Sequence, residues 1–206
     1  MNEKLTQIKA WLGTSSINIF GLPFSGKDTV GRKLAELLNA EFLSSGDILR
    51  NSEAAKTTAQ GELTPTDEFE RIVLPYFAKP ELAEKPLFLS SIGRWSGEEY
   101  SVMQALQQAN HPLQAVIVLN ISENSVRERW QAAKILEDRA DRTDDKSEEI
   151  LNTRLSEFNS KTLPVISHYQ QLELLIAVNG DQPRPDVINE VVEKLAARAT
   201  GSVGLD

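Results

Sequence analysis

The sequence predicts an α/β fold, a parallel five-stranded sheet flanked by helices on both faces. Three observations predict it. Five short apolar runs, at residues 16–20, 41–43, 87–89, 115–119 and 174–178, are each separated from the next by helix-like sequence. The first run stops at Gly21 and leads through a glycine-containing turn into a helical pattern that continues to Leu38. The 206 residues are 40% hydrophobic and 25% charged, an ordinary globular composition that excludes extended disorder and supports one substantial core with a small inserted lobe.

In chain order, Leu5, Ile8, Trp11 and Leu12 recur at helical spacing and Gly13 stops the turn, so residues 1–13 read as a helical extension docked on the core. Residues 47–85 carry no strand signal and are too long for a simple crossover, which predicts an inserted helical lobe able to move against the sheet. Within it, Thr64-Pro65-Thr66-Asp67 reads as a helix start: the threonine caps, the proline takes the first helical position and the acid meets the positive helix end. Residues 137–149 are almost wholly polar, read either as a solvated loop or as a charged flap over a site. The tail at residues 199–206 reads as frayed.

Charge and composition exclude whole classes of function. With 22 Lys and Arg against 30 Asp and Glu, the net charge is −8, and a nucleic acid polymer is a poor partner. The absence of cysteine excludes disulfide frameworks, thiolate zinc sites and cysteine nucleophiles. Only two histidines occur, His111 and His168, and both read as surface or packing residues. The first residues lack the apolar core of a signal peptide, and nowhere is there a run of about 18 apolar residues, the length a membrane span requires. A cytoplasmic protein with no membrane association is expected.

The chemistry is concentrated at Gly21-Leu22-Pro23-Phe24-Ser25-Gly26-Lys27, which matches G-x-x-x-x-G-K between a predicted strand and a predicted helix. Glycines let main-chain N–H groups curl around phosphate oxygens, the helix end adds partial positive charge, and Lys27 offers an ammonium to the terminal phosphates. Gly21, Pro23, Ser25, Gly26, Lys27, Asp28 and Thr29 are therefore candidate ATP-binding residues. Asp28 stands where a metal-binding serine or threonine usually follows the lysine, with Thr29 one step later. Two roles remain open for Asp28, a partner of the helix dipole or a neighbour of the metal.

Beyond the loop, GLPFSGKDTVGRKLAE, SSGDILR, GELTPTDE, the Arg94 segment, and RTDDKSEEILNTRL followed by TLPVISHY together resemble the nucleoside monophosphate kinases, adenylate kinase above all. The match runs in order over roughly residues 16–196. It implies a P-loop kinase fold with a helical monophosphate-binding lobe at 47–85 and a short lid at 130–146, without zinc. The family loop reads G-x-P-G-x-G-K-G-T; Gly21, Pro23, Gly26, Lys27 and Thr29 agree, whereas Phe24 and Asp28 replace glycines. The S-T-G-D-x-[LI]-R element is matched from Ser44 to Arg50, which implies Arg50 as a ligand of the monophosphate and Ser45 and Gly46 as lining its pocket.

The family's D-G-F-P-R-T appears as Ser90-Ser91-Ile92-Gly93-Arg94-Trp95, which keeps the arginine and loses the aspartate that orders magnesium-bound water. Arg94 is implied as a phosphate ligand. Where the family has a base-reading glutamine this chain has Glu98, either a reader of a donor-bearing base such as guanine or, with Ser96 and Glu99 forming a capping box, a helix-end acid. Arg129 matches an arginine that packs on the donor base; the arginine expected a turn later is Ala133, with Lys134 beside it. Arg142, Asp144 and Asp145 match R-x-D-D, Arg154 matches the arginine of an R-L helix motif, and Arg139 is an unassigned extra.

The expected activity is transfer of the terminal phosphate of ATP to a nucleoside monophosphate, with Mg2+ entering on the nucleotide and the chain acting as a monomer. Lys27, Arg94, Arg129, Arg142 and Arg154 are the candidate catalytic residues, and Arg50 and Glu98 join Arg94 in the acceptor site. No metal ligand is assigned. Two alternatives stand beside it: a nucleotide-binding relative without transfer activity, motivated by Ser90, and a kinase of another small phosphorylated metabolite.

Overall fold

The structure, a computed structural model, describes residues 1–135 and 147–201. In order these form α1 (Asn2–Leu12), β1 (Ser16–Gly21), α2 (Lys27–Leu38), β2 (Glu41–Ser44), α3 (Ser45–Arg50), α4 (Ala55–Ala59) and α5 (Thr66–Val73). Two short 3-10 turns, Leu74–Ala78 and Pro80–Leu82, lead to β3 (Leu87–Ser90) and α6 (Glu98–Gln108). Then come β4 (Leu113–Asn120), α7 (Glu123–Ile135), α8 (Glu148–Glu157), a π turn at Phe158–Thr162, α9 (Leu163–Gln171), β5 (Leu175–Asn179) and α10 (Arg184–Ala199).

The predicted sheet is present, in the order β2-β3-β1-β4-β5 and parallel at every pairing. Strands covered on both faces need apolar residues throughout, and β1 and β3 are buried along their whole length. Side chains alternate across the sheet. Ile17 and Ile19 of β1 pack with Ile8 of α1, Leu34 of α2 and Val191 and Leu195 of α10 on one face, while Phe20 meets Val116 and Tyr169 on the other. Burying each such aliphatic side chain stabilises the fold by about 1.5–3 kcal/mol. The segment between β2 and β3 packs continuously with the sheet: Ile48, Leu49, Phe69, Val73 and Phe77 share a cluster with Leu87 and Leu89 of β3 and Val102 of α6.

Strand order sets where a ligand enters. The chain leaves β1 toward β2 on one side and leaves β3 toward β4 on the other, so a crevice opens at the carboxyl ends of the adjacent strands β1 and β3. Among the described residues, no helix is long and apolar enough to cross a membrane.

Local readings are corrected in two places, and the start of the expected lid is helical. Helix α5 begins at Thr66 with Pro65 just ahead of it, so the proline precedes the first helical residue; Thr64 does not cap, and its hydroxyl is buried with no hydrogen-bond partner among the described residues. Residues 130–135, counted with the lid from sequence, continue α7. Helix α8 starts at Glu148, inside the segment read as polar loop, because Ser147 Oγ accepts the Ile150 N–H and closes the first turn. The rest of that segment lies outside the described residues.

Candidate active site

The phosphate loop connects β1 to α2, and its curl depends on two glycines. A Cβ on Gly21 would stand 2.6 Å from Ser25 Oγ, and Gly26 sits at φ +86° immediately before the helix. Phe24, the residue that replaces a glycine of the resembled loop, adopts φ +61°, an uncommon conformation for a residue with a side chain. Its ring is used: the Arg154 guanidinium of α8 lies 5.9 Å from its centroid, and Phe24 packs against the apolar cluster of Trp130, Leu151 and Leu155.

Above the loop lies a cavity of about 590 Å³. Of the predicted ATP residues, Ser25, Gly26, Lys27, Asp28 and Thr29 line it; Gly21 and Pro23 do not. Arg129 of α7 reaches the same cavity while donating from Nη1 to the carbonyl oxygens of Phe24 and Ser25, each at 3.3 Å, and from Nη2 to that of Gly180 at 2.7 Å. It braces the loop against the end of β5. Lys134 does not replace the cation missing at Ala133, since its ammonium lies 4.5 Å over the Trp130 ring.

On the opposite wall, α3 begins with Ser44 Oγ accepting the Asp47 N–H at 3.4 Å, so Ser44 caps this helix. Asp47 is ion-paired with Arg50 at 2.5 Å and with Arg32 at 2.8 Å. Gly46 makes room for the Arg50 side chain: a Cβ there would fall 2.8 Å from Nη1. Ser45, Gly46, Arg50 and Arg94 all line the cavity. Ser45 Oγ donates to the Ser91 carbonyl at 2.7 Å, tying α3 to the turn that carries Arg94.

That turn is held from beneath by a residue the sequence reading passed over. Asn18, a polar residue inside the apolar strand β1, is fully buried; its Nδ2 donates to the Ile92 carbonyl at 2.7 Å and its Oδ1 accepts the Ile92 N–H at 3.3 Å. An amide in an otherwise apolar run was the available signal. Gln182 and Arg184, at the start of α10, also line the cavity and were likewise missed; an arginine flanked by prolines at a helix start was the cue.

Glu98 stands in the first turn of α6, as the helix-end reading has it. It is 1% exposed and does not line the cavity. Oε2 accepts the main-chain N–H groups of Arg94 at 2.7 Å and Trp95 at 3.0 Å, and Oε1 accepts the Thr66 hydroxyl of α5 at 2.9 Å. Burial pushes its carboxyl above the ordinary glutamate value, against the downward pull of the bonds from Trp95, Arg94 and Thr66. No full capping box forms: Glu99 accepts the Gly97 N–H at 2.7 Å, but Ser96 supplies no cap. His168 Nδ1 pairs with Glu99 at 2.9 Å and His111 Nδ1 bonds the Thr14 carbonyl at 2.8 Å, both away from the cavity.

Arg154 enters the cavity from α8, where the chain approaches the segment ahead of α5. Gly61, at φ +82°, allows this, since a Cβ there would lie 2.9 Å from the Ile150 carbonyl and 3.0 Å from Arg154 Cγ. The Leu63 N–H donates to Glu157 of α8 at 3.1 Å. Arg142, Arg139, Asp144 and Asp145 lie outside the described residues.

Hard oxygen donors gather on the loop side: the Asp28 carboxylate, the Thr29 hydroxyl and the Ser90 hydroxyl line the cavity, and Ser90 Oγ donates to Asp28 Oδ1 at 2.5 Å. Among the described residues no group of three or more His, Asp or Glu side chains could hold a metal ion. The donor set fits Mg2+ carried in on phosphates, because that ion keeps several waters and takes few protein carboxylates.

The fold and cavity define a parallel α/β protein with a phosphate loop facing a ring of guanidinium groups. Comparison with known sequences agrees. The family profile described as "Adenylate kinase" matches residues 19–174, and the chain belongs to the adenylate kinase family. Among curated relatives, the adenylate kinase of Micrococcus luteus is 27% identical over 196 residues, covering 90% of this chain and 93% of that protein. The adenylate kinase of Streptococcus pyogenes serotype M6 is 26% identical over 205 residues, with 86% and 96% covered, and that of a Cyanothece strain is 25% identical over 189 residues, with 86% and 94% covered.

Proposed function

We propose that the chain transfers the terminal phosphoryl group of ATP to a nucleoside monophosphate. One observation carries this: arginines from three separate elements, Arg50 of α3, Arg94 of the turn after β3 and Arg154 of α8, line the same cavity as Lys27. Two anionic substrates brought face to face need such a collection of cations, and transfer needs little else of the protein.

In this reading the loop N–H groups and Lys27 hold the ATP phosphates, with Ser25, Gly26 and Thr29 shaping their seat. Arg129 keeps that loop in place beside the donor nucleoside. Arg50 and Arg94 grip the acceptor phosphate, with Ser45 and Gly46 against the rest of the monophosphate. Arg154, together with Arg142, spreads its charge over the transferring group. A phosphate oxygen of the acceptor forms the new bond to the γ-phosphorus as the bond to ADP breaks; a monophosphate dianion attacks without a general base. Mg2+ arriving with ATP would neutralise charge on the phosphates, held mainly by the nucleotide and water, with Asp28 or Thr29 nearby. The segment at 47–85 acts as the monophosphate lobe and 130–146 as the lid, and their closure excludes water. Activity in the cytoplasm as a monomer completes the reading.

A coupled assay with a panel of monophosphates tests it. Magnesium-dependent ADP formation with at least one acceptor is the expected result. Retained ATP binding with no turnover on any of them favours instead a nucleotide-binding relative without transfer activity.

A further inference from the structure

The position after a phosphate-loop lysine ordinarily presents a hydroxyl to the metal that bridges the terminal phosphates. Here that position is Asp28, and its carboxylate reaches across the crevice floor to the end of β3, where Oδ1 accepts the Ser90 hydroxyl proton at 2.5 Å. Ser90 is a fixed anchor. It is 1% exposed, and its main chain is locked in register opposite Ile19 of β1. An acid that served only the helix dipole would need to do no more than sit near the first turn of α2; it would not need to turn toward a second strand. Lys27, Thr29 and Ser25 share this wall of the cavity, and Ser25 Oγ is buried with no hydrogen-bond partner among the described residues.

We propose that Asp28 and Ser90 act as one unit that orients the water shell of the Mg2+ carried by ATP. The loop helix supplies the negative charge, and the strand end fixes the direction in which that charge faces. This rests on the reading of the loop as the ATP site. Waters on a divalent cation are strong donors and need acceptors. A carboxylate offers about four acceptor positions and the negative charge that such donors favour. A hydroxyl alone at the end of β3 offers no such charge, so the two residues divide between them what a single acid would otherwise do.

The test is Mn2+ binding followed by electron paramagnetic resonance, with β,γ-methylene-ATP as the nucleotide, beside calorimetry of the same analogue without metal. Asp28→Asn is expected to weaken Mn2+ in the ternary complex about 10-fold, the loss typical of a supporting ligand, and to leave metal-free analogue affinity unchanged or slightly tighter. Ser90→Ala is expected to give a smaller loss in the same direction. The double exchange Asp28→Gly with Ser90→Asp moves the charge to the other end of the same hydrogen bond and is expected to recover most of the wild-type Mn2+ affinity. Unchanged Mn2+ affinity in Asp28→Asn overturns the proposal, and so does an equal loss of metal-free analogue binding, which would mark Asp28 as structural. Failure of the wild-type chain to bind the analogue at all overturns the ATP-site reading as well, so the two failures are distinguishable. Should the asparagine variant not fold, Mn2+ broadening of the Asp28 and Ser90 amide resonances in the wild-type complex decides the matter, and its absence counts against the proposal.

Discussion

Removing the Glu98 carboxylate probes the link between the acceptor turn and the lobe. In Glu98→Ala two main-chain donors, the N–H groups of Arg94 and Trp95, lose the oxygen they share, and the Thr66 hydroxyl loses its acceptor. Each stranded donor costs about 1–3 kcal/mol and the hydroxyl bond about 1 kcal/mol, giving a loss of about 3–7 kcal/mol. That is a large share of the roughly 5–15 kcal/mol that holds a domain together, and at about 2–4 °C per kcal/mol for a chain of this size the Tm should fall by about 6–28 °C. Glu98→Gln keeps the geometry, since its carbonyl oxygen accepts both N–H groups and its amide donates to Thr66. The difference between wild type and glutamine then reports charge. Because burial raises the Glu98 pKa in the folded chain, its protonation supports folding below the ordinary glutamate value, and that support is lost as pH rises through the raised folded value. Urea denaturation from pH 4 to 8 should therefore show the glutamine variant gaining on wild type as pH increases. An alanine variant within about 1 kcal/mol of wild type, or a glutamine difference that stays flat with pH, would refute this account.

Three further outcomes are expected. Lys27→Ala should weaken ATP by about 10- to 100-fold, the equivalent of one charge-assisted hydrogen bond of about 1.5–3 kcal/mol, with undiminished affinity by calorimetry counting against the loop as the triphosphate seat. Gly61→Ala forces a side chain into φ +82° and against the Ile150 carbonyl, and should lower stability by about 2 kcal/mol in thermal melts; an unchanged Tm would mean that α8 and this turn are not in contact. Phe24→Gly relieves a left-handed residue of about 1–2 kcal/mol but removes the ring beneath Arg154, so stability should hold while kcat falls, and a kcat equal to wild type would leave the ring without a catalytic role.

Features that depend on neighbours along the chain were legible in the sequence. Five apolar runs became five parallel strands, and Gly21 to Lys27 became the turn from β1 into α2, because strand burial and glycine turns are encoded within a few residues. Ser45, Arg50, Arg94 and Arg154 could be named before the fold was known because each sits in a short motif, and the cavity brings them together. Helix starts were less secure: Pro65 and Ser147 show that a cap is settled by one or two residues whose main chain must already have turned.

Tertiary structure alone decided the contacts between distant segments. Glu98 reads as a base reader or a helix-end acid; it does stand in the first turn of α6, but its burial against the Arg94 turn and its bond from Thr66 of α5 come only with the fold. Asn18 gains its purpose only when β1 lies beside β3 and presents an amide to Ile92. Asp28 and Ser90, each a departure from the resembled motif when read singly, become a hydrogen-bonded pair because the carboxyl ends of β1 and β3 open onto one crevice. Periodicity and turn chemistry act over a few residues, whereas strand order and register determine which residues far apart in the chain share one cavity wall.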